Sequence, residues 1–314
     1  MRTIPGIHHV TAIAGPAQEN LDFYAGLLGL RFVKKTVNFD DPGTYHFYYG
    51  NGTGQPGSIL TFFPWANAFP GKNGTGFATA TAFSVPASAL DFWMERFADA
   101  AYDFDAPIER FGEQVLALND PHGLPIELVA DAREDSAEPW AHGPVPAEAA
   151  IRAFHGVTLS MRQADRSIPL IAEVFGYEAV AEDGDRIRFR ASGAGAPAAY
   201  VDVLRLPNGL PGRQGTGTVH HVAFRAKDDD ELEFWRGRLS NLGLRVTTII
   251  DRQYFHSIYF REPNGILYEI ATDPPGFTAD EPLETLGHAL KLPAQYEHRR
   301  AELERVLPAV QIPS

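Results

Sequence analysis

Short runs that alternate apolar and polar residues recur along the chain, broken by stripes of apolar residues three and four apart. Alternation with period two marks a half-buried strand, and the wider spacing marks a helix. Four segments repeat this order: a strand, an amphipathic helix, then further strands. In the first, residues 5–65, the opening run is Ile7-His8-His9-Val10-Thr11, and Leu21, Tyr24, Leu27 and Leu28 form the stripe of a helix over 16–28. Gly29 ends that helix, because glycine takes the left-handed cap without strain. Strands are expected over 31–38, 45–49 and 58–63. The second unit, 76–131, has a strand over 77–85, the stripe Leu90, Trp93 and Phe97, and a closing run from Asp120 to Leu128. The third, 153–206, opens with Phe154-His155-Gly156-Val157-Thr158. Its helix is weaker because Pro169 interrupts it, and strands are expected over 186–191 and 199–204. The fourth, 217–273, opens with Val219-His220-His221-Val222-Ala223, carries the stripe Leu232, Trp235, Leu239 and Leu242, and predicts strands over 246–251, 254–261 and 266–271.

The units also match in detail. Asp120-Pro121-His122-Gly123 aligns with Glu262-Pro263-Asn264-Gly265, which sets Glu127 on Glu269. Gly29-Leu30-Arg31 aligns with Gly243-Leu244-Arg245. This repetition predicts an α+β fold of four βαβββ modules whose paired sheets curve around two cavities. The domain reading is an N-terminal half 5–131, a linker 132–150 without apolar periodicity, a C-terminal half 151–273, and a tail 274–314. A final helix around 294–307 is assigned to packing or to a homo-oligomer contact rather than to catalysis.

Composition narrows the chemistry. The 314 residues are 44% hydrophobic, enough for a sizeable core, and no apolar run is long enough to span a bilayer. The net charge of −13 disfavours nucleic acid, whose phosphates call for a basic surface. There is no cysteine, so any metal must be held by nitrogen and oxygen. Without a signal-peptide pattern at the start, a cytoplasmic location is expected.

Two strands with adjacent histidines and a strand carrying Glu269 suggest a site of two imidazoles and a carboxylate. The order of modules resembles the vicinal oxygen chelate superfamily, and more narrowly its two-domain ring-cleaving dioxygenases acting on hydroquinones. The residues that carry the resemblance are Ile7-His8-His9-Val10-Thr11, Phe32-Val33-Lys34-Lys35-Thr36-Val37-Asn38, Thr61-Phe62-Phe63-Pro64-Trp65, Val219-His220-His221, Tyr268-Glu269 and Gly287-His288-Ala289-Leu290-Lys291-Leu292-Pro293. Together they span nearly the whole chain. The resemblance implies an extradiol-type, Fe(II)-dependent enzyme that opens a small dihydroxybenzene with O2; another divalent metal is an alternative occupant. It also implies that His8, Thr11, His220, Arg252 and Tyr259 surround the metal.

Module alignment selects the ligands independently. The first-strand positions that face the cavity are His9, Gly156 and His221, and the last-strand positions are Phe62, Glu127 and Glu269. His155 is one place off and aligns with His8. Only His9, His221 and Glu269 make two histidines and a carboxylate, a facial set that leaves Fe(II) positions open. Glu269 lies in the apolar run Ile266-Leu267-Tyr268-Glu269-Ile270, where an unpaired charge would be costly. Glu127 has no histidine partner and reads as a relic or a hydrogen-bonded structural residue. Strand parity turns His8 and His220 away from the ligand face unless the strands are bulged. Chain order suggests pairing the first module with the second, but only pairing the first with the fourth gathers all three ligands. That arrangement leaves the second and third modules around a metal-free cavity. Two other readings remain open: a glyoxalase-like isomerase or lyase, which would use a fourth ligand at Phe62, and a non-catalytic protein that sequesters an aromatic compound.

Overall fold

The computed structural model describes residues 2–132, 137–192 and 198–313. Of the stretch read as a linker, residues 133–136 therefore lie outside the described residues. The first module contains β1 (Ile7–Ala14), β2 (Arg31–Val37), β3 (Tyr45–Gly50) and β4 (Ile59–Pro64). The second has β5 (Phe77–Pro86), β6 (Ile108–Arg110), β7 (Glu113–Asn119) and β8 (Pro125–Asp131). The third has β9 (Ala153–Met161), β10 (Glu178–Asp183), β11 (Arg186–Arg190) and β12 (Tyr200–Arg205). The fourth has β13 (Thr218–Ala226), β14 (Ile250–Asp251), β15 (Phe255–Arg261) and β16 (Leu267–Pro275).

The strands form two curved eight-stranded half-barrels, ordered β14-β15-β16-β13-β1-β4-β3-β2 and β10-β11-β12-β9-β5-β8-β7-β6. The first module thus pairs with the fourth and the second with the third, as the ligand count required. The seam of each half-barrel is an antiparallel pair of opening strands, β1 with β13 and β5 with β9. One apolar core runs through all four modules, with Tyr24, Phe62, Trp93, Phe224, Trp235 and Tyr268 fully buried in it.

The regular helices α2 (Leu90–Asp99) and α3 (Asp229–Asn241) bury the expected faces, Leu90, Trp93 and Phe97 in one and Leu232, Trp235 and Leu239 in the other. Asp228 caps the latter by accepting from the Glu231 amide at 3.0 Å. Leu242, expected in the stripe, lies past the helix end and is 56% exposed. The helix expected over 16–28 is two pieces: α1 (Ala17–Leu21), then a wider turn over Asp22–Leu27 in which the Leu28 amide reaches back five residues to the Phe23 carbonyl. Widening lets the neighbours Phe23 and Tyr24 both point into the core. The strand expected over 246–251 shrinks to two residues, because the Thr247 hydroxyl accepts from the Tyr259 amide at 3.0 Å where a ladder carbonyl would. The terminal segment forms a tight helical turn, Ala294–Arg299, then α4 (Arg300–Val306). Before that, the tail crosses the first half-barrel. The fully buried Lys34 ammonium donates to Asp280 at 2.7 Å and Glu281 at 2.8 Å, and the Tyr254 hydroxyl donates to Asp280 at 3.0 Å.

The two half-barrels differ in content. The second encloses only about 10 Å³, because arginines fill it. Arg110 holds Glu127 through two bonds of 2.8 and 2.9 Å. Arg188 holds Asp202 at 2.8 and 3.1 Å, and its remaining nitrogen reaches Glu113 at 2.5 Å. His155 meets the same Glu113 at 3.0 Å. Glu127 is thus a hydrogen-bonded structural residue. Gly156, the counterpart of His9 and His221, has no room for a side chain: a Cβ there would sit 2.3 Å from the Tyr200 carbonyl oxygen. Removing one partner of a buried ion pair strands the other. Arg188→Ala is therefore expected to lower unfolding stability by about 3–5 kcal/mol, read by urea titration; a wild-type midpoint would show the network to be stabilising nothing.

Candidate metal centre

The seam between β1 and β13 carries two bulges. Ile7 pairs with Phe224 and His9 with Ala223, so His8 is the extra residue on β1. Thr11 pairs with His221 and Ala12 with Val219, so His220 is the extra residue on β13. A bulge re-aims the side chains around it. Here it gives each ligand-position histidine a partner in its own strand: Nδ1 of His8 lies 3.0 Å from Nδ1 of His9, and Nδ1 of His220 lies 2.7 Å from Nδ1 of His221.

Those contacts set the protonation pattern. The Thr272 carbonyl, 3.1 Å from His8 Nε2, can only accept, so His8 carries its proton on Nε2 and offers a lone pair at Nδ1. His9 must then donate from its own Nδ1, which leaves its Nε2 bare. His9 Nε2, His221 Nε2 and Glu269 Oε2 converge, with separations of 3.4 Å between the nitrogens and 3.3 and 2.8 Å from them to the oxygen. All three residues are buried, and these atoms lie within the reach of one cation. Ser257 donates to the other carboxylate oxygen, Oε1, while the buried Oε2 takes no hydrogen-bond donor. An unsatisfied buried carboxylate oxygen facing two imidazole nitrogens is a donor set that fits a divalent metal. Burial pushes the Glu269 carboxyl up, but His9 and His221 outweigh it and hold it well below the usual range.

A family model for the Glyoxalase/Bleomycin resistance protein/Dioxygenase superfamily matches residues 6–128 and 153–270. The chain belongs to that superfamily. Its relatives include "Putative ring-cleaving dioxygenase MhqO" of Bacillus subtilis (strain 168), 49% identical over 305 residues covering 96% of this chain and 95% of that protein. "Chlorohydroquinone/hydroquinone 1,2-dioxygenase" of Sphingobium indicum is 34% identical over 312 residues, 97% of this chain and 96% of that one. A crystal structure titled as a putative dioxygenase from Bacillus subtilis subsp. subtilis str. 168 superposes with a TM-score of 0.96 at 46% identity, over 100% of both chains.

In this superfamily member the three converging side chains stand at the floor of a cavity of about 490 Å³. Its walls include Thr11, His46, Tyr48, Phe63, Trp65, His220, Phe255, Arg252 and Tyr259. His220 therefore faces the cavity, against the parity expectation, because its bulge breaks the alternation. His8 does not line the cavity and is tied to Thr272. Tyr259 pairs directly with Glu269 across the β15–β16 ladder and accepts from Arg252 Nε at 3.2 Å, leaving its own O–H to donate. Arg252 also reaches Asp40 at 3.3 Å, and both line the cavity. Thr11 bonds Thr61 at 2.8 Å. His155 and Glu127 lie in the other half-barrel.

One position was misaligned. Glu269 pairs with Ala223, and the equivalent pair in the first module is Thr11 with Thr61, not Ala12 with Phe62. A slip of one residue exchanges the faces of a strand: Phe62 is buried against Tyr24 with ring centroids 4.5 Å apart, and Thr61 points to the cavity side. By the same register the third module contributes Asp202, paired with Thr158. His46 and Tyr48 were not anticipated, although β3 was expected; only the pairing of β3 with β4 brings them to the site.

No described helix is long and apolar enough to cross a membrane. Burial keeps four imidazoles neutral: His8, His46 and His221 are held below the ordinary histidine value, and His220 is pushed down to about 3. In each case burial is the largest cause. A base depressed in the folded state binds fewer protons than the unfolded chain below pH ~6.5, so stability falls as pH falls through that window. Glu269, depressed in the opposite class, loses its contribution only below pH ~4. Chelator-treated protein is thus expected to be less stable at pH ~5.5 than at pH ~7.5, by at most about 1.4 kcal/mol per depressed histidine, measured by urea unfolding at the two pH values. Equal stabilities would contradict the neutral, buried cluster.

Proposed function

We propose that the protein is an Fe(II)-dependent, extradiol-type ring-cleaving dioxygenase that opens a hydroquinone or related dihydroxybenzene between a hydroxylated carbon and its neighbour. The observation that carries this reading is the three-ligand set itself. His9, His221 and Glu269 would hold the metal, and the fourth equivalent position is Thr61, whose hydroxyl is already engaged by Thr11 at 2.8 Å and His46 at 2.9 Å. The fourth metal ligand that the glyoxalase-like reading needs is absent from that position. Bound Fe(II) supplies open positions for substrate and dioxygen and an electron path between them.

The chain's own residues supply the rest. Phe63, Trp65 and Phe255 give a cavity of about 490 Å³ flat apolar walls that suit an aromatic ring. With His221 Nε2 committed to a metal, its Nδ1 proton goes to His220, which must then carry its own proton on Nε2 and offer it to the cavity. Arg252 and the Tyr259 hydroxyl present fixed donors to an oxygen that gains negative charge, with no reorganisation needed at that moment. The names carried by the relatives, ring-cleaving and hydroquinone dioxygenase, point to the same chemistry.

The deciding measurement is oxygen uptake by anaerobically iron-loaded protein against a panel of hydroquinones and catechols. Iron-loaded protein that consumes oxygen with none of them would leave a binding protein as the better reading. His9→Ala, His221→Ala and Glu269→Gln are each expected to abolish tight divalent-metal binding by titration calorimetry, while His155→Ala and Glu127→Gln retain it; tight binding by His221→Ala would sink the ligand set. Arg252→Ala is expected to keep the metal and lose roughly 10²–10³-fold in kcat, and an unchanged kcat would remove Arg252 from the chemistry.

A further inference from the structure

The pseudo-twofold relation between the first and fourth modules sets two walls of the cavity face to face. Thr61 is the counterpart of Glu269, Tyr48 of Tyr259 and, two residues earlier on each strand, His46 of Ser257. On the fourth module this trio is a carboxylate held by a serine. On the first it is a neutral chain of hydrogen bonds: Thr11 Oγ1 to Thr61 Oγ1 at 2.8 Å, Thr61 Oγ1 to His46 Nε2 at 2.9 Å, and His46 Nδ1 to the Tyr48 hydroxyl at 2.9 Å. Both ends, Thr11 and Tyr48, line the cavity.

The partners of His46 are unlike those of other histidines in the protein. His8 meets a carbonyl, His155 a carboxylate and His256 a carboxylate at 2.6 Å, and each such partner can only accept. His46 lies between two hydroxyls, each able to donate or to accept, so neither tautomer is imposed. Its ring packs at a tilt against those of Tyr48 and Phe63, with centroids 4.1 and 4.4 Å away and interplanar angles of 35° and 42°. The chain therefore has two settings of equal bond count. In one, every bond runs from Thr11 towards Tyr48, and the Tyr48 O–H is free to donate into the cavity. In the other every bond is reversed, and the Thr11 O–H is free.

We propose that His46 is the centre of a proton relay, Thr11–Thr61–His46–Tyr48, that takes a proton from a substrate oxygen at one end and returns one to a substrate oxygen at the other. Delivery from Tyr48 moves the Nδ1 proton of His46 to the phenol oxygen, the Thr61 proton to His46 Nε2 and the Thr11 proton to Thr61, while Thr11 takes up a proton from the substrate. One proton enters, one leaves, and no residue changes charge. Burial, which keeps the imidazole neutral, favours this tautomer switch over a charged intermediate. His46 acts through its two neighbours and is a positioning residue; its place in turnover rests on the dioxygenase reading above.

Two measurements test the relay. In metal-free, full-length protein labelled with 15N at histidine, both ring nitrogens of His46 are expected at shifts intermediate between protonated and bare nitrogen, the signature of exchanging tautomers. The resonance is assigned by its loss in His46→Gln or, should that variant not fold, by its displacement in Thr61→Val. A single fixed tautomer overturns the proposal whatever the reaction proves to be. In iron-loaded protein, His46→Gln keeps a donor and an acceptor but cannot pass a proton, so kcat is expected to fall about 10²-fold with KM little changed. Wild-type kcat in that variant also overturns it. Should wild-type protein consume no oxygen with any substrate, the dioxygenase reading fails and the tautomer measurement still decides the relay.

Discussion

The site depends on one antiparallel seam. β1 and β13 are separated by most of the chain, yet their pairing alone brings two Nε2 atoms within 3.4 Å of each other. The bulges at His8 and His220 are part of that seam. Each inserts a residue beside a ligand position without moving the ligand position off the cavity face, and each inserted imidazole takes the Nδ1 proton that would otherwise leave the tautomer undecided. The backbone irregularity and the readiness of the nitrogens to bind a cation therefore have a common cause. The tail makes the same junction from outside. Lys34 of the first module and Tyr254 of the fourth both bond Asp280, so a third segment ties together the modules that the site requires.

The second half-barrel shows what the same backbone does without that seam chemistry. β5 and β9 carry bulges at the matching places, with Thr79 and His155 as the extra residues. Two of the four equivalent positions hold carboxylates, Glu127 and Asp202, but the first-strand positions are Ala80 and Gly156. Carboxylates buried without a cation need another positive charge, and three arginines, Arg110, Arg186 and Arg188, provide it. Guanidinium groups fill volume as well as neutralise charge, which accounts for the contrast between about 10 and about 490 Å³. Duplication thus left one cup that is a packed ionic core and one that is a cavity.

Much of this was legible in the sequence because its signals are local or repeated. The histidine pairs, the glycine stops and the apolar run around Glu269 located the modules. The demand that two histidines and a carboxylate share one cavity fixed the module pairing where chain order suggested another. What could not be read was register. Thr61 and Phe62 are adjacent and both compatible with a strand, and only the cross-strand pairing of Thr11 with Thr61 separates them. The orientation of His220 turned on register too: alternation points it away from the cavity in an unbroken strand, and a bulge, which leaves no clear trace in composition, brings it back. The edge strands β6 and β10 were not singled out, since exposed, charged faces lack the apolar alternation that announces a buried strand, and neither was β7, although it lies between β6 and β8 and buries Val115, Leu116 and Leu118.

The likeness between the cavity's two walls then explains why its chemistry is divided. A ligand carboxylate at Thr61 would add a second negative charge to a site that Glu269 already supplies. It would also close a position that the three-ligand set leaves open. Replacing it by a hydroxyl leaves Thr61 with one proton and two neighbours, Thr11 and His46, and the direction of the two bonds can reverse only if both neighbours are amphoteric. A lysine or arginine at position 46 could only donate and an acid could only accept, while imidazole does both on opposite sides of one ring. The fourth module therefore supplies charge and the first supplies neutral donors and acceptors, so an oxygen bound between them meets a fixed guanidinium at Arg252 on one side and a switchable hydroxyl at Tyr48 on the other.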